Sequence, residues 1–455
     1  MPKKIAIFGG SFNPPGIHHR KVIKRIIDFF DEIIVVPCGP RPEKQTTNDV
    51  EPIHRAVMCD MTFRDLPKVR VELFDLEQAT FTRTHLLEER FKERGELWHL
   101  IGTDIIQRGD DGLTFIHRDW ENGPEIWEKL KFAIVKRSGF EYDAKGLPPQ
   151  NEVFDLEGSG SSSAIRERMF KHQPIDDLVV PEVAEYIKRY GLYQGRFPSK
   201  RALVSLESPK LLIVKDEYNP KAEELSRRFE RFVDEQNPNM IAVIGGDGTM
   251  LRAIRENWRK RLPFVGINTG HRGFLMNSRN EIPENFFLRD WIIQQAPLLY
   301  VETLGKDGKW KSSLAFNDAW VERAEGFPVC VEVKINNKVR IPRLEGDGIL
   351  LATSAGSTAY AEKMGAIPFH NYSNLVLVGS HANWGSANLS IDDEAEFKSL
   401  ETERRPMRAF ADGVLLGEAL SMKARTSRIA AVELVFSPNN DIAEKLLQIQ
   451  FPDGR

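Results

Sequence analysis

Ile5-Ala6-Ile7-Phe8-Gly9-Gly10-Ser11-Phe12-Asn13-Pro14-Pro15 is an apolar run that stops on two glycines, ahead of a stretch with helical spacing. The same order returns far down the chain. Met240-Ile241-Ala242-Val243-Ile244 ends in Gly245-Gly246-Asp247-Gly248-Thr249, and Thr249-Met250-Leu251-Arg252-Ala253-Ile254 opens a helix. A strand, a glycine turn and a helix in succession bring backbone N–H groups and the positive helix end onto phosphate oxygens. Two turns of different design point to two nucleotide reactions. The second carries a carboxylate at its tip, Asp247, and lacks the lysine that a Walker loop needs.

Outward from the first turn, short apolar strands alternate with amphipathic stretches. Ile5–Phe8, Glu32–Pro37, Val69–Leu73, Leu97–Ile101 and Phe132–Val135 read as strands; Arg20–Phe30, Ile53–Arg64 and Thr84–Arg94 read as helices. That alternation predicts a mostly parallel sheet with helices on both faces and a ligand beyond the carboxyl ends of its strands. A helix-rich stretch follows over Ala164–Tyr190, and Gln194 to Lys200 reads as a linker. The pattern restarts with a strand at Lys210–Val214 and a helix near Ala222–Asp234. Beyond about residue 297, short strands such as Val329–Ile335, Gly348–Thr353 and Asn374–Val378 are separated by Gly, Asn and Asp, which predicts a largely antiparallel region. The expected division is residues 1–195, 200–295 and 296–455.

A chain of 455 residues is too long for one core, and 41% hydrophobic with 28% charged residues describes an ordinary globular protein. A net charge of −3 argues against general nucleic-acid binding. The three cysteines (Cys38, Cys59, Cys330) have no metal-like spacing, so no metal site is expected. The basic-then-apolar start is too short for a signal peptide, and no apolar segment approaches the ~20 residues that span a bilayer. The expectation is a cytoplasmic protein with no membrane partner.

Gly9 to His19 resembles the opening motif of the nicotinamide/nicotinate mononucleotide adenylyltransferases. Further matches follow in family order: Pro37-Cys38-Gly39 with Lys44, Ile53 to Met58, Phe81-Thr82-Arg83-Thr84, Ile101-Gly102-Thr103-Asp104 with Trp120 downstream, and Ser161-Ser162-Ser163-Ala164-Ile165-Arg166. Taken alone, paired histidines are surface groups and serines before a helix are caps. The ordered set weighs against that reading. The resemblance implies a nucleotidyltransferase-type, doubly wound Rossmann-like domain that joins a mononucleotide to ATP with loss of pyrophosphate. It implies nucleotide contacts at Gly9, Gly10, Ser11, Phe12, His18, Lys44, Thr82, Gly102, Asp104, Trp120, Ser162, Ser163 and Arg166, with His19 catalytic. The family has histidine, any residue, glycine, histidine where this chain has Gly16-Ile17-His18-His19.

Gly266-Ile267-Asn268-Thr269-Gly270-His271-Arg272-Gly273-Phe274-Leu275 closely resembles a strand-loop of the NAD kinases. Lipid kinases and phosphofructokinase-like enzymes share turns like Gly245 to Thr249, but later matches separate them: Asn317-Asp318, Gly346 to Tyr360 and Asp412-Gly413. The resemblance implies a small α/β domain followed by a β-rich sandwich domain, and phosphorylation of the 2′-hydroxyl of NAD by ATP with Mg²⁺. It implies Asp247 as base or orienter, Gly245, Gly246, Gly248, Thr249 and Asn268 around nucleotide, and Asn317 and Asp318 on adenosine. Asp347, Thr358, Ala359 and Tyr360 would line the rest of the dinucleotide. Glu345, Ser354 and Val414 stand where relatives commonly carry arginine, proline and glutamine. The whole chain then reads as a bifunctional enzyme using ATP, NMN or nicotinate mononucleotide, and NAD. A kinase with a non-catalytic nucleotide-binding module is the alternative, and a homo-oligomer is a family-based expectation.

Overall fold

The computed structural model describes residues 2–41, 45–136, 146–156, 160–194, 201–205, 208–270, 273–277, 282–283, 285–369, 373–438 and 445. The chain folds as two compact units, Met1–Ser199 and Lys200–Arg455. Lys44, His271, Arg272 and most of the expected linker lie outside the described residues.

In the first unit, β1 (Lys4–Gly10), β2 (Glu32–Pro37), β3 (Val69–Val71), β4 (Glu96–Gly102), β5 (Phe132–Val135) and β6 (Asn151–Phe154) form one sheet in the order β3-β2-β1-β4-β5-β6. Every pairing is parallel. β2 (Glu-Ile-Ile-Val-Val-Pro) is buried along its whole length, as a strand covered on both faces must be. Each buried Ile or Val there contributes roughly 1.5–3 kcal/mol. The chain leaves β1 towards β2 and β3, then crosses back to β4 on the other side of β1. The direction of winding thus reverses between β1 and β4, where this fold opens its ligand crevice.

The helix expected at Arg20–Phe30 runs instead from Ile17 to Ile26, with Ile23 and Ile26 buried. It stops early because Phe29 and Phe30 turn inward onto Trp98 and Phe154. The expected helix near Ala222–Asp234 is Pro220–Arg228, followed by a tighter turn at Glu230–Phe232.

The second unit begins with β7 (Arg201–Ser205), then β8 (Leu211–Lys215), β9 (Met240–Gly245) and β10 (Phe264–Asn268), the last three parallel to one another. The long strand Ser421–Phe436 lies beside β10 in parallel and then pairs antiparallel with Asp290–Leu304 and Ala395–Ser399. One sheet therefore runs from the α/β part into the β-rich part. Asp290–Leu304 passes straight through the position where composition changes, with a bulge between Pro297 and Leu299. A proline is tolerated in a strand at such a bulge.

A second, antiparallel sheet holds Ser386–Ser390, Asn374–Ser380, Gly348–Ala352, Asp318–Arg323, Met407–Ala411 and Val414–Ala419 in that order. Alternate residues fill the space between the sheets: Val329, Val331, Val333 and Ile335 from one, Val321, Ile349, Leu351 and Leu377 from the other. The intervening Leu350, Ala352, Val376 and Val378 pack on Ala361 and Ala366 on the opposite face. Gly348–Ala352 is buried on both sides, which explains its unbroken apolar run.

Candidate active sites

At the carboxyl ends of β1 and β4 lies a cleft of about 1290 Å³. It gathers Gly9, Gly10, Ser11, Phe12, His18, His19, Thr82, Gly102, Asp104, Trp120, Ser162, Ser163 and Arg166. Of the residues that the first resemblance implies, only Lys44 is not placed there, and it lies outside the described residues.

The cleft is built from the backbone outward. Arg55, 1% exposed, donates to the carbonyls of Ser11, Cys38 and Thr47, and so pins the glycine turn to the end of β2. A buried guanidinium is retained only when its donors are satisfied. Phe12 takes a left-handed conformation (φ 44°) and is buried against Phe8, Phe63 and His19. The N–H of Gly16 donates to Nδ1 of His19 at 3.0 Å. Nδ1 is therefore the acceptor nitrogen, and in the neutral ring Nε2 carries the proton. His19 is set up as a donor.

Across the cleft, Ser161 caps the helix Ser162–Phe170 by accepting the N–H of Ala164. Ser162 Oγ donates to Pro14 O at 2.8 Å, and Arg166 donates to Asn13 O at 2.6 Å. Both side chains tie this helix to the loop after the glycine turn, so that a helix N-terminus faces the crevice. Asp75, 1% exposed, accepts the N–H of Thr82 at 3.0 Å and its hydroxyl at 2.5 Å. Burial pushes the Asp75 carboxyl above its ordinary range. Neighbouring Phe81 lies under the guanidiniums of Arg41 and Arg83, 4.6 and 4.9 Å from its ring centre.

In the second unit, Asp247 is the first residue of the helix Asp247–Asn257. Its two carboxylate oxygens accept the N–H groups of Phe274 and Leu275, both at 2.9 Å. The tip carboxylate thereby fixes the Gly273–Met276 turn, and each oxygen keeps a further lone pair. Gly245 has no room for a side chain because Thr249 occupies that space. Asn268 Oδ1 accepts the N–H of Gly270 at 2.9 Å and closes the loop after β10.

Asn317 and Asp318 are held by Asp412. Asp412-Gly413 is a two-residue hairpin turn with φ 47° and 77°, and the Asp412 carboxylate accepts the amides of Phe316, Asn317 and Asp318 at 2.6, 2.7 and 3.3 Å. Asp318, 4% exposed, is raised to about 7 by burial and then by the nearby Asp412. Asn317 Oδ1 is buried with no hydrogen-bond partner among the described residues. A buried acceptor left open awaits a donor. Phe316 and Ala355 share one apolar cluster with Met250 and Leu275, and Arg255 reaches Asp412 O. The Asp247 helix and the Asn317 segment are thus parts of one packed region.

A cleft of about 520 Å³ contains Asp347 and Tyr360, but not Asp247, Asn317, Thr358 or Ala359. Asp347 is paired with Arg323 at 2.9 Å and His381 at 3.1 Å. Tyr360 lies beside Trp320, which stacks flat on Phe410 at 4.9 Å. Burial raises the Tyr360 hydroxyl, with Glu322, Asp318 and Asp347 adding to it. Thr358 Oγ1 is turned to Ala355 O. Ser354 Oγ donates to Phe369 O at 2.9 Å.

A cytidylyltransferase-like family model matches residues 7–168, and an ATP-NAD kinase N-terminal domain model matches residues 199–289. The NAD kinase of Brucella suis biovar 1 (strain 1330) is 31% identical over 223 residues, 48% of this chain and 86% of the Brucella protein. The chain belongs to the NAD kinase family. A cytidylyltransferase-like segment precedes its kinase segment, so it is a fusion of the two. The NAD kinase of Xanthomonas campestris pv. campestris (strain 8004) is 28% identical over 262 residues, covering 53% of this chain and 98% of that protein. Yeast NADH kinase in complex with NADH shares 14% identity over 56% of this chain and 92% of its own, with a TM-score of 0.48.

In the kinase unit, the aspartate-glycine pair at 412 was the visible sign of the residue that organises Asn317 and Asp318. Arg323, His381 and Trp320 carry no such sign, because Trp320 and Arg323 lie on Asp318–Arg323 while His381 follows the distant strand Asn374–Ser380. In the unit ahead of it, Arg55 and Asp75 are equally silent. No helix among the described residues is long and apolar enough to cross a membrane.

Proposed function

We propose that the chain carries out two successive reactions of pyridine-nucleotide synthesis: adenylyl transfer from ATP to NMN or nicotinate mononucleotide in the first unit, and ATP-dependent 2′-phosphorylation of NAD in the second. The observation that carries the first half is the crevice at the winding reversal, where a glycine turn, an oriented imidazole and a second helix N-terminus meet. There the mononucleotide phosphate attacks the α-phosphorus of ATP. The bond to the β-phosphate breaks and pyrophosphate leaves. No protein nucleophile is needed, so positioning and charge stabilisation do the work. His19 Nε2–H and Arg166 face the developing charge.

In the second half Asp247 receives the proton of the ribose 2′-hydroxyl as that oxygen attacks the γ-phosphorus, and ADP departs. The open Oδ1 of Asn317 fits a donor on the adenosine part, and Asp347 and Tyr360 border the remainder. Magnesium enters as the ATP complex.

Gly16, without a side chain, supports a second reading in which the first unit binds nucleotide but does not turn it over. Incubation of the purified chain with ATP-Mg and NMN, nicotinate mononucleotide or NAD, followed by chromatography, distinguishes the two. Dinucleotide with pyrophosphate from a mononucleotide, together with NADP from NAD, establishes both activities; NADP from NAD with no dinucleotide supports the second reading. Neither product from a folded sample excludes both.

A further inference from the structure

We propose that Tyr193 is a positioning residue of the first crevice: its hydroxyl holds Asn13, and through Asn13 it sets the loop 11–15 and Arg166 for the nucleotide. The inference rests on the adenylyl-transfer reading above. Asn13 is 0% exposed, and its polar groups are engaged from separate parts of the unit. Its Nδ2 donates to Thr46 O, and its main-chain oxygen accepts Arg166. Its Oδ1 accepts the Tyr193 hydroxyl at 2.6 Å, from 180 residues further along the chain. Because Nδ2 is committed to a carbonyl, Oδ1 is the acceptor end of the amide and Tyr193 is the donor.

The backbone is bent to make this contact. Tyr193 has φ 63°, a left-handed conformation that a bulky residue adopts only at a cost and keeps only when its surroundings hold it. The approach to it is fixed. The helix Pro181–Tyr190 ends on Gly191, and the N–H of Leu192 bonds back to Ile187 O at 3.0 Å. Burial raises the Tyr193 hydroxyl well above the ordinary phenol range, with Arg55 and Arg166 pulling the other way, so it stays protonated and donates. Neither Tyr193 nor Asn13 lines the cleft, whereas Ser11, Phe12 and Arg166 do. The loop is already tied by Arg55 at Ser11 O and by Ser162 at Pro14 O. Asn13 lies between those ties and carries Arg166, so releasing it frees the middle of the loop and one guanidinium together.

The test uses the full chain and a double-mutant cycle. Tyr193→Phe keeps the ring and removes only the hydroxyl, so a residue that merely packs would lose nothing. KM for ATP in dinucleotide formation should rise by about fivefold to fiftyfold, as expected when a buried acceptor loses its donor, with KM for the mononucleotide changed less than about threefold. NADP formation from NAD should be unchanged. In an Asn13→Ala background, or Asn13→Ser if the alanine variant does not fold, Tyr193→Phe should cost less than about threefold. A Tyr193→Phe protein that keeps the wild-type KM for ATP overturns the proposal while leaving adenylyl transfer intact. An equal rise in KM for both substrates overturns it as well, since it reports a loosened unit and not a displaced loop. So does an equal cost of Tyr193→Phe with and without Asn13. Absence of dinucleotide from the wild-type chain with either mononucleotide refutes the adenylyl-transfer reading and the proposal with it.

Discussion

Asp247 sits at the tip of the second glycine turn and is bonded through both oxygens to the Phe274 and Leu275 amides. Asp247→Asn therefore does more than remove a base, because its carboxamide can accept only one of those N–H groups and opposes the other. Roughly 10²- to 10⁴-fold loss of kcat for NADP formation is expected, with pyrophosphate release by the first unit unchanged. A loss below tenfold would reduce Asp247 to a tie for the turn. Asp318 gives a pH signature. Its folded carboxyl, raised to about 7, binds a proton more tightly than the unfolded one. Its contribution to stability is therefore present at low pH and is lost as pH rises from about 4 towards 7. Asp318→Asn should accordingly be more stable than wild type at pH 8 than at pH 5, by about 1–3 kcal/mol in urea unfolding. A gap that does not change with pH would show that this burial costs nothing.

At the scale of elements, Ser161 caps the helix whose N-terminus faces the first crevice. Ser161→Ala should cost about 1 kcal/mol, read in the first unit's melting, and should weaken ATP binding through the loosened first turn. Unchanged ATP affinity would detach that helix end from the nucleotide. Which elements form was largely readable from local pattern. β2 announces itself as a doubly covered strand, and Gly9-Gly10 and Gly245-Gly246 mark the two phosphate turns. The boundary of the helix at Ile26 was not readable, since what ends it is the distant pair Trp98 and Phe154 drawing in Phe29 and Phe30. The same holds for the sites. Asp247 stood out because its turn is a contiguous motif, whereas Arg55 and Asp75 act by reaching carbonyls and hydroxyls that only the folded chain brings near.

At the scale of the whole molecule, each unit has its own sheets and its own buried clusters, and calorimetry of the intact chain should resolve two cooperative transitions. ATP with a mononucleotide should raise one and NAD the other. A single two-state transition would contradict separate cores. The pairing that joins the α/β and β-rich parts of the kinase was invisible in sequence, because Phe264 meets Leu434 across the length of the sandwich. Composition changes near residue 297, yet the strand does not break there. Because Ser421–Phe436 belongs to both parts, neither can let go of its amides alone. Hydrogen exchange at Ile292–Ala296 and Val432–Phe436 should proceed only through opening of the whole kinase unit, at one common rate under native conditions. Two parts threaded by one strand can flex against each other, but they cannot come apart.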